Sequence, residues 1–379
     1  VVLLDGNENA IARPYSDIFY KVNIFDVEAV KEIAVKEKAD FLITVCADQV
    51  LLVVAQVSEM LGLPWYIDYE TAKQVSDKKL MKEIFKKNNI PTSEFVVMKE
   101  LDLSQIQGLH YPLIVKPVDA YSSKGVRKVD NEQELKDSFE IAAQISRNKN
   151  VIIEEYFEGE EISVDLFVLN GKAHVLCVSN SEKVKAHDRF VIFRGKFPVH
   201  VSEKLMKKIE NVSQKIAESF QIRNAPMLVQ MLTNGENITV LEFCARTGGA
   251  MKWLLIKRAC GVDVISNVID LTLGEKPNIN VGPPENKYIV NDFIYCTEGI
   301  FDHLEGFDQQ LKLGNITDYR CLRAKGTKFT GNINSSSDRI LGVTIQADSI
   351  EEFNHKQRNF VNSVKIIDID GNDIMRHDL

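Results

Sequence analysis

Two short stretches set hard oxygen donors beside a guanidinium. They are Val229-Gln230-Met231 and Val240-Leu241-Glu242-Phe243-Cys244-Ala245-Arg246-Thr247-Gly248-Gly249. Gln230 and Glu242 fall on the two arms of an expected hairpin that turns at Asn234-Gly235. Alternation along a strand places Glu242, Cys244 and Arg246 on one face. A carboxylate and an amide oxygen are ligands suited to magnesium. A surface Glu–Arg pair, worth little, is the plain alternative. It leaves unexplained the apolar Leu241 and Phe243 around the acid and the Thr-Gly-Gly that follows.

Cations that could meet a phosphate come earlier. Tyr111-Pro112-Leu113-Ile114-Val115-Lys116 reads as a strand ending in a lysine, followed by the loop Asp119-Ala120-Tyr121-Ser122-Ser123-Lys124-Gly125. Small residues let backbone N–H groups approach an anion, and the lysine adds charge. A strand-end lysine beside a polar turn accounts for the same residues. Asp77-Lys78-Lys79 opens a helix with cations against its dipole, a cost of roughly 0.3–1 kcal/mol each that a bound anion would reverse. Asp77 could offset that cost locally. The third stretch is Val151-Ile152-Ile153-Glu154-Glu155-Tyr156-Phe157-Glu158-Gly159-Glu160-Glu161. An apolar strand there runs straight into acids, so its exposed end could offer backbone groups to a base and a carboxylate to ribose hydroxyls.

The elements that must hold these residues follow from pattern. Strands at Val1–Leu4 and Phe41–Val45, helices at Val27–Lys38 and Leu51–Leu61, and a short strand at Pro64–Ile67 imply a parallel sheet with crossover helices. Ser76 is positioned to cap a helix running to about Lys87. Expected strands follow at Pro112–Lys116, Val151–Glu155, Ile162–Leu169 and Ala173–Val178, the last two joined at Asn170-Gly171, a hairpin signal. Asn131 with Glu134 can form a capping box for a helix to about Ser146. Glu203–Phe220 has one apolar stripe. Pro226–Thr233 pairs with Ile238–Phe243. Gly282-Pro283-Pro284 reads as a linker, before strands at Tyr288–Tyr295 and Ile340–Gln346 and a helix near Ser349–Val364.

Taken in this order, the motifs resemble the ATP-grasp superfamily over nearly the whole chain, above all its carboxylate–amine ligases and its carbamoyl-phosphate-synthetase or biotin-carboxylase branch. The resemblance implies an α/β and α+β fold: a Rossmann-like pre-domain over 1–75, an ATP-grasp domain over 76–281 with its ATP subdomain at about 111–180, and an α+β cap over 282–379. It implies that Lys78 and Lys116 contact ATP phosphates and that Ser122, Ser123 and Gly125 lie in a loop over the triphosphate. Glu154, Glu155, Tyr156 and Phe157 would form the adenine-reading hinge, and Glu161 would bind ribose. Gln230 and Glu242 would hold Mg2+, with Mn2+ as its substitute, and Arg246 would act with Lys116 on the transferred phosphoryl. There are two departures. Cys244 stands where the family usually has Asn, and a neutral thiol is a poor magnesium ligand. A strand and helix that usually precede the equivalent of Val1–Leu4 are absent, which implies a trimmed or partial chain.

The implied reaction makes an acyl phosphate from a small-molecule carboxylate for attack by an amine, with amino acids as the leading substrates. Phosphorylation of bicarbonate and nucleotide binding without turnover are the alternatives. The basic stretch Glu182–Lys196, with Arg189 and Arg194, either meets the substrate or is a solvated turn. The sequence has 379 residues, a net charge of −8 and six cysteines with no CxxC spacing. That acidity argues against a nucleic-acid face, and the cysteines read as free thiols in a reducing compartment, the cytoplasm. The longest apolar run is far short of the ~20 residues a membrane span needs. A homodimer is the family-based expectation.

Overall fold

The computed structural model describes residues 1–120, 123–184, 190–249 and 251–378. Strands β1 (Val2–Asp5) and β2 (Ile18–Lys21) pair in parallel. Helices α1 (Val27–Lys36) and α2 (Asp48–Leu61) pack there through Val30, Val53 and Val57. Phe41–Val45 and Pro64–Ile67, expected as strands, are not strands. Leu42 still packs into that core, so burial is met without a ladder. The second strand is instead Ile18–Lys21, too short to stand out by pattern. Helix α3 (Tyr69–Ser76) leads into α4 (Lys78–Lys87). Ser76, the expected cap, is the last residue of α3. Asp77 caps α4, accepting from Lys79 N at 2.8 Å and Leu80 N at 3.1 Å. A carboxylate there also offsets the lysines of the first turn.

The next unit contains β3 (Phe95–Met98), β4 (Leu113–Pro117), β5 (Arg127–Val129), α5 (Glu132–Ile145) and β6 (Val151–Glu155). The strands form an antiparallel sheet in the order β3-β6-β4-β5. Asn131 caps α5 by accepting from Glu134 N at 3.0 Å, and Glu134 in turn takes Asp130 N. Leu135, Phe139 and Ala142 of α5 pack on Leu113, Val115, Val151 and Ile153. Because side chains alternate across a strand, Lys116 and Glu154 then point to the opposite face.

The larger sheet takes β7 (Glu160–Leu169), β8 (Lys172–Lys183) and β9 (Ile192–Phe197), then, after α6 (Glu203–Ser219), β10 (Ala225–Thr233) and β11 (Ile238–Cys244). Asn170 and Gly171 turn β7 into β8 at φ 53 and 78, the left-handed pair that a two-residue hairpin requires. Helices α7 (Lys252–Cys260) and α8 (Val264–Leu273) follow. The remainder is β12 (Tyr288–Ile294), β13 (Glu298–Glu305), α9 (Phe307–Lys312), β14 (Asp318–Cys321), β15 (Lys328–Thr330), β16 (Leu341–Ala347), α10 (Ile350–Val361) and β17 (Lys365–Asp368). The eight-stranded order is β11-β10-β7-β8-β9-β12-β16-β14. The sheet therefore runs through the expected linker at 282 without a break, and the C-terminal segment extends it. No described helix is long and apolar enough to cross a membrane.

Candidate active site

Strand register decides which side chains meet. Glu242 lies opposite Gln230, and Gln230 lies opposite Ser163 on its other side. The alternate residues, Val229, Met231, Ile162, Val164 and Phe243, are buried against Leu205, Ile209 and Ile216 of α6. Burial of that apolar face leaves Gln230 and Glu242 on the polar one. This face and the Lys116 face of the smaller sheet border one cleft.

Of the residues expected from sequence, Lys78, Lys116, Ser123, Glu161, Gln230 and Glu242 line the cleft, as does the hinge from Glu154 to Phe157. Gly125 is not among the lining residues, although its neighbours Lys124 and Val126 are. Ser122 and Arg189 lie outside the described residues.

Helix α4 supplies charge to both sheets. Lys78 Nζ sits 3.0 Å from Glu242 Oε2 and donates to the Ala120 carbonyl at 2.7 Å. Burial disfavours its charged form, but Glu242 outweighs burial, so the Lys78 pKa lies above its ordinary value. One turn on, Lys82 is 1% exposed and reaches Glu154 Oε2 at 2.6 Å. Lys116 takes Glu154 Oε1 at 2.5 Å. Burial alone would raise the Glu154 pKa. The two ammonium groups reverse that and hold it at about 2. Glu161 accepts from Gln230 Nε2 at 3.0 Å and pairs with Lys183 at 2.8 Å. With its nitrogen committed to Glu161, Gln230 keeps its amide oxygen for a hard cation. That oxygen and the Glu242 carboxylate fit magnesium. Cys244 does not fit it: burial pushes the thiol far up, and Sγ lies 3.8 Å from the Leu228 carbonyl.

Two arginines lie elsewhere. Arg246 is not a lining residue. Its Nε donates to Asp48 Oδ1 at 2.6 Å, Nη2 donates to Oδ2 at 2.5 Å, and Nη1 donates to the Thr247 carbonyl at 2.7 Å. Burial tends to raise the Asp48 pKa, yet Arg246 and Lys78 bring it below its ordinary value. Helix α2 is thus clamped directly to the segment that follows β11. Arg194, expected near substrate, extends from the opposite face of the sheet. There it pairs with Asp292, lies 3.5 Å from Glu182, and sits 5.7 Å from the Phe353 ring. With its charge committed among these groups, it is not placed to meet a ligand in the cleft.

Lys82 and Asp48 went unnoticed in sequence. Lys82 had a usable signal, since it lies four residues after Lys78 on one helix face. Asp48 had none, because its partner is 198 residues away. Gly159 sits where a Cβ would fall 2.6 Å from the Thr233 carbonyl and 2.9 Å from the Phe157 ring. Gly159→Ala is expected to cost about 1–3 kcal/mol through that clash and to weaken nucleotide binding by displacing Phe157. Melting curves and nucleotide titration check both effects.

A family model for the ATP-grasp domain matches residues 109–253. The chain carries an ATP-grasp domain. It is 23% identical over 279 residues to the L-arginine-specific L-amino acid ligase of Bacillus subtilis, covering 71% of this chain and 67% of that protein. It also matches carbamoyl phosphate synthase large chains, in one case over 19% of their length. Among solved structures, the L-amino acid ligase of Bacillus licheniformis shares the fold with a TM-score of 0.77 at 20% identity, over 93% of this chain and 88% of that one. The biotin carboxylase domain of Hydrogenobacter thermophilus 2-oxoglutarate carboxylase, solved with MgADP, ADP and bicarbonate, has a TM-score of 0.78 at 16% identity over 96% and 84%. The ATP-grasp match spans β4 through the start of α7, the segment that holds Lys116, Glu154, Gln230 and Glu242.

Proposed function

We propose that the protein is an ATP-dependent, ADP-forming ligase that activates a carboxylate as an acyl phosphate and passes the acyl group to an amine, with amino acids as substrates. One observation carries this reading: Lys78 from α4 and Lys116, Gln230 and Glu242 from two sheets converge on one cleft. Lys78 and Lys116 bind phosphates, with Ser123 and Gly125 in the loop beside them. The Glu155 and Tyr156 amides already donate to Glu94 and Pro112 carbonyls, so the adenine edge falls to the Phe157 amide. Glu161 accepts from ribose.

The chemical obstacle is repulsion between an anionic nucleophile and the terminal phosphate. Two like charges ~4 Å apart cost about 4 kcal/mol at an effective dielectric of 20. The lysines offset this, and positioning supplies much of the remainder. Magnesium, or manganese in its place, held by Gln230 and Glu242, supplies further charge neutralisation when bound. A carboxylate oxygen attacks the terminal phosphorus and ADP leaves. The amine nitrogen then attacks the acyl carbon, phosphate leaves, and the amine sheds a proton. Arg246 reaches the phosphoryl group once it exchanges Asp48 for an anionic substrate. We assign residues 1–75, 76–281 and 282–379 to pre-domain, grasp and cap. We also assign a homodimer and, from its free thiols, a cytoplasmic setting.

The test is ADP release with Mg-ATP and pooled carboxylates, with and without amines, and with bicarbonate. Release that requires a carboxylate–amine pair is expected. Bicarbonate-dependent release without an amine would replace the ligase reading with a carboxylase one. The absence of release in every pool would reject both.

A further inference from the structure

Lys82 is a charged side chain with no evident reason to be charged. It is 1% exposed, lies 5.3 Å from the Phe95 ring, and does not line the cleft. Its ammonium donates to Thr92 Oγ1 at 2.7 Å and pairs with Glu154 Oε2 at 2.6 Å. Thr92 Oγ1 donates in turn to the Val240 carbonyl at 3.1 Å, two residues before Glu242. Replacing a buried charge with an apolar side chain of similar volume is often neutral or stabilising, provided no partner is stranded. Here Lys116 would still neutralise Glu154 through its other oxygen, but the buried Glu154 Oε2 would lose its ion-pair partner. The three groups together carry one excess positive charge.

We propose that Lys82 is a positioning residue for the nucleotide site: it takes one oxygen of Glu154, so that the carboxylate cannot close both oxygens on Lys116, and Lys116 stays available to a phosphate. This rests on the nucleotide reading of the cleft. Without Lys82, Glu154 and Lys116 form a balanced, closed pair, and a phosphate must break it to gain the lysine. With Lys82, the cluster keeps an unmatched positive charge, and of its two cations Lys116 is the one that lines the cleft. Helical spacing matches this division of labour. Lys78 and Lys82 stand one turn apart on α4, one reaching Glu242 on the large sheet and the other Glu154 on the small one.

The experiment measures Mg-ATP affinity by titration calorimetry, together with melting temperature and steady-state kinetics, for wild type, K82M, K82R and K82M/E154Q. K82M is expected to melt below wild type but to stay folded, and to bind Mg-ATP roughly tenfold more weakly, about 1.4 kcal/mol, with the loss in KM rather than kcat. K82R should restore binding. K82M/E154Q should restore it too, because the acid that traps Lys116 is gone. A merely structural lysine predicts no recovery in that double variant. K82M binding like wild type, or a double variant as weak as K82M, would overturn the proposal. If K82M proves unstable, the double variant still decides. Wild-type protein that binds no Mg-ATP would instead remove the nucleotide reading.

Discussion

Glu242→Gln is expected to lower ATP turnover by about 10²–10³-fold, the range seen when one group that stabilises transition-state charge is removed. The substitution keeps volume and hydrogen-bonding capacity, so the strand pairing of β11 with β10 should persist. What it removes is the carboxylate opposite Gln230, the one full negative charge in the expected magnesium set. The loss should therefore appear in metal dependence: affinity for metal-free ADP nearly unchanged, and the magnesium concentration for half-maximal rate sharply raised. Lys78 also loses the carboxylate that holds its pKa up, a smaller effect because a bound phosphate replaces that partner. Steady-state ADP release across a magnesium titration checks the prediction. Equal rates and equal magnesium dependence in variant and wild type would remove Glu242 from the metal site.

What sequence revealed and what it concealed divides along sequence separation. The hairpin arms carrying Gln230 and Glu242 were legible because a two-period pattern and an Asn-Gly turn are local signals. Register does not follow from them alone: counting back from the turn sets Gln230 opposite Leu241, and an irregularity between Gln230 and Met231 is what brings Glu242 opposite Gln230. The caps of α4 and α5 are local too, and only the choice between Ser76 and Asp77 failed, by one residue. By contrast, the Arg246–Asp48 clamp joins residues that no local pattern relates, and the partner of Arg194 was hidden for the same reason. Its partner Asp292 lies 98 residues on, and only the order of the eight-stranded sheet shows that the pair occupies the face away from the cleft. The N-terminal segment was least legible, because Phe41–Val45 has strand composition but pairs with no strand among the described residues.

Glu154→Ala is expected to destabilise the fold by about 3–5 kcal/mol, the cost of removing one partner from a buried ionic group. Lys82 and Lys116, both buried, would keep their charges with Thr92 as the only other hydrogen-bond acceptor for either among the described residues. At about 2–4 °C per kcal/mol, the melting temperature should drop by roughly 10 °C. The same carboxylate sets an acid limit. Its folded pKa is held at about 2, against an ordinary 4.5. A depressed carboxylate contributes stability that is fully present above its unfolded pKa and is lost as pH falls toward the folded one. For Glu154 that window runs from 4.5 down to about 2, and the shift corresponds to about 3 kcal/mol. Wild-type protein should therefore lose stability across this window while staying nearly flat near neutrality, as far as this group decides. Glu154→Ala should begin lower and fall less steeply there. Melting curves at pH 7, 4.5 and 3 for both proteins measure the difference in slope. Parallel curves would mean that Glu154 is not the carboxylate whose protonation unlocks the two lysines.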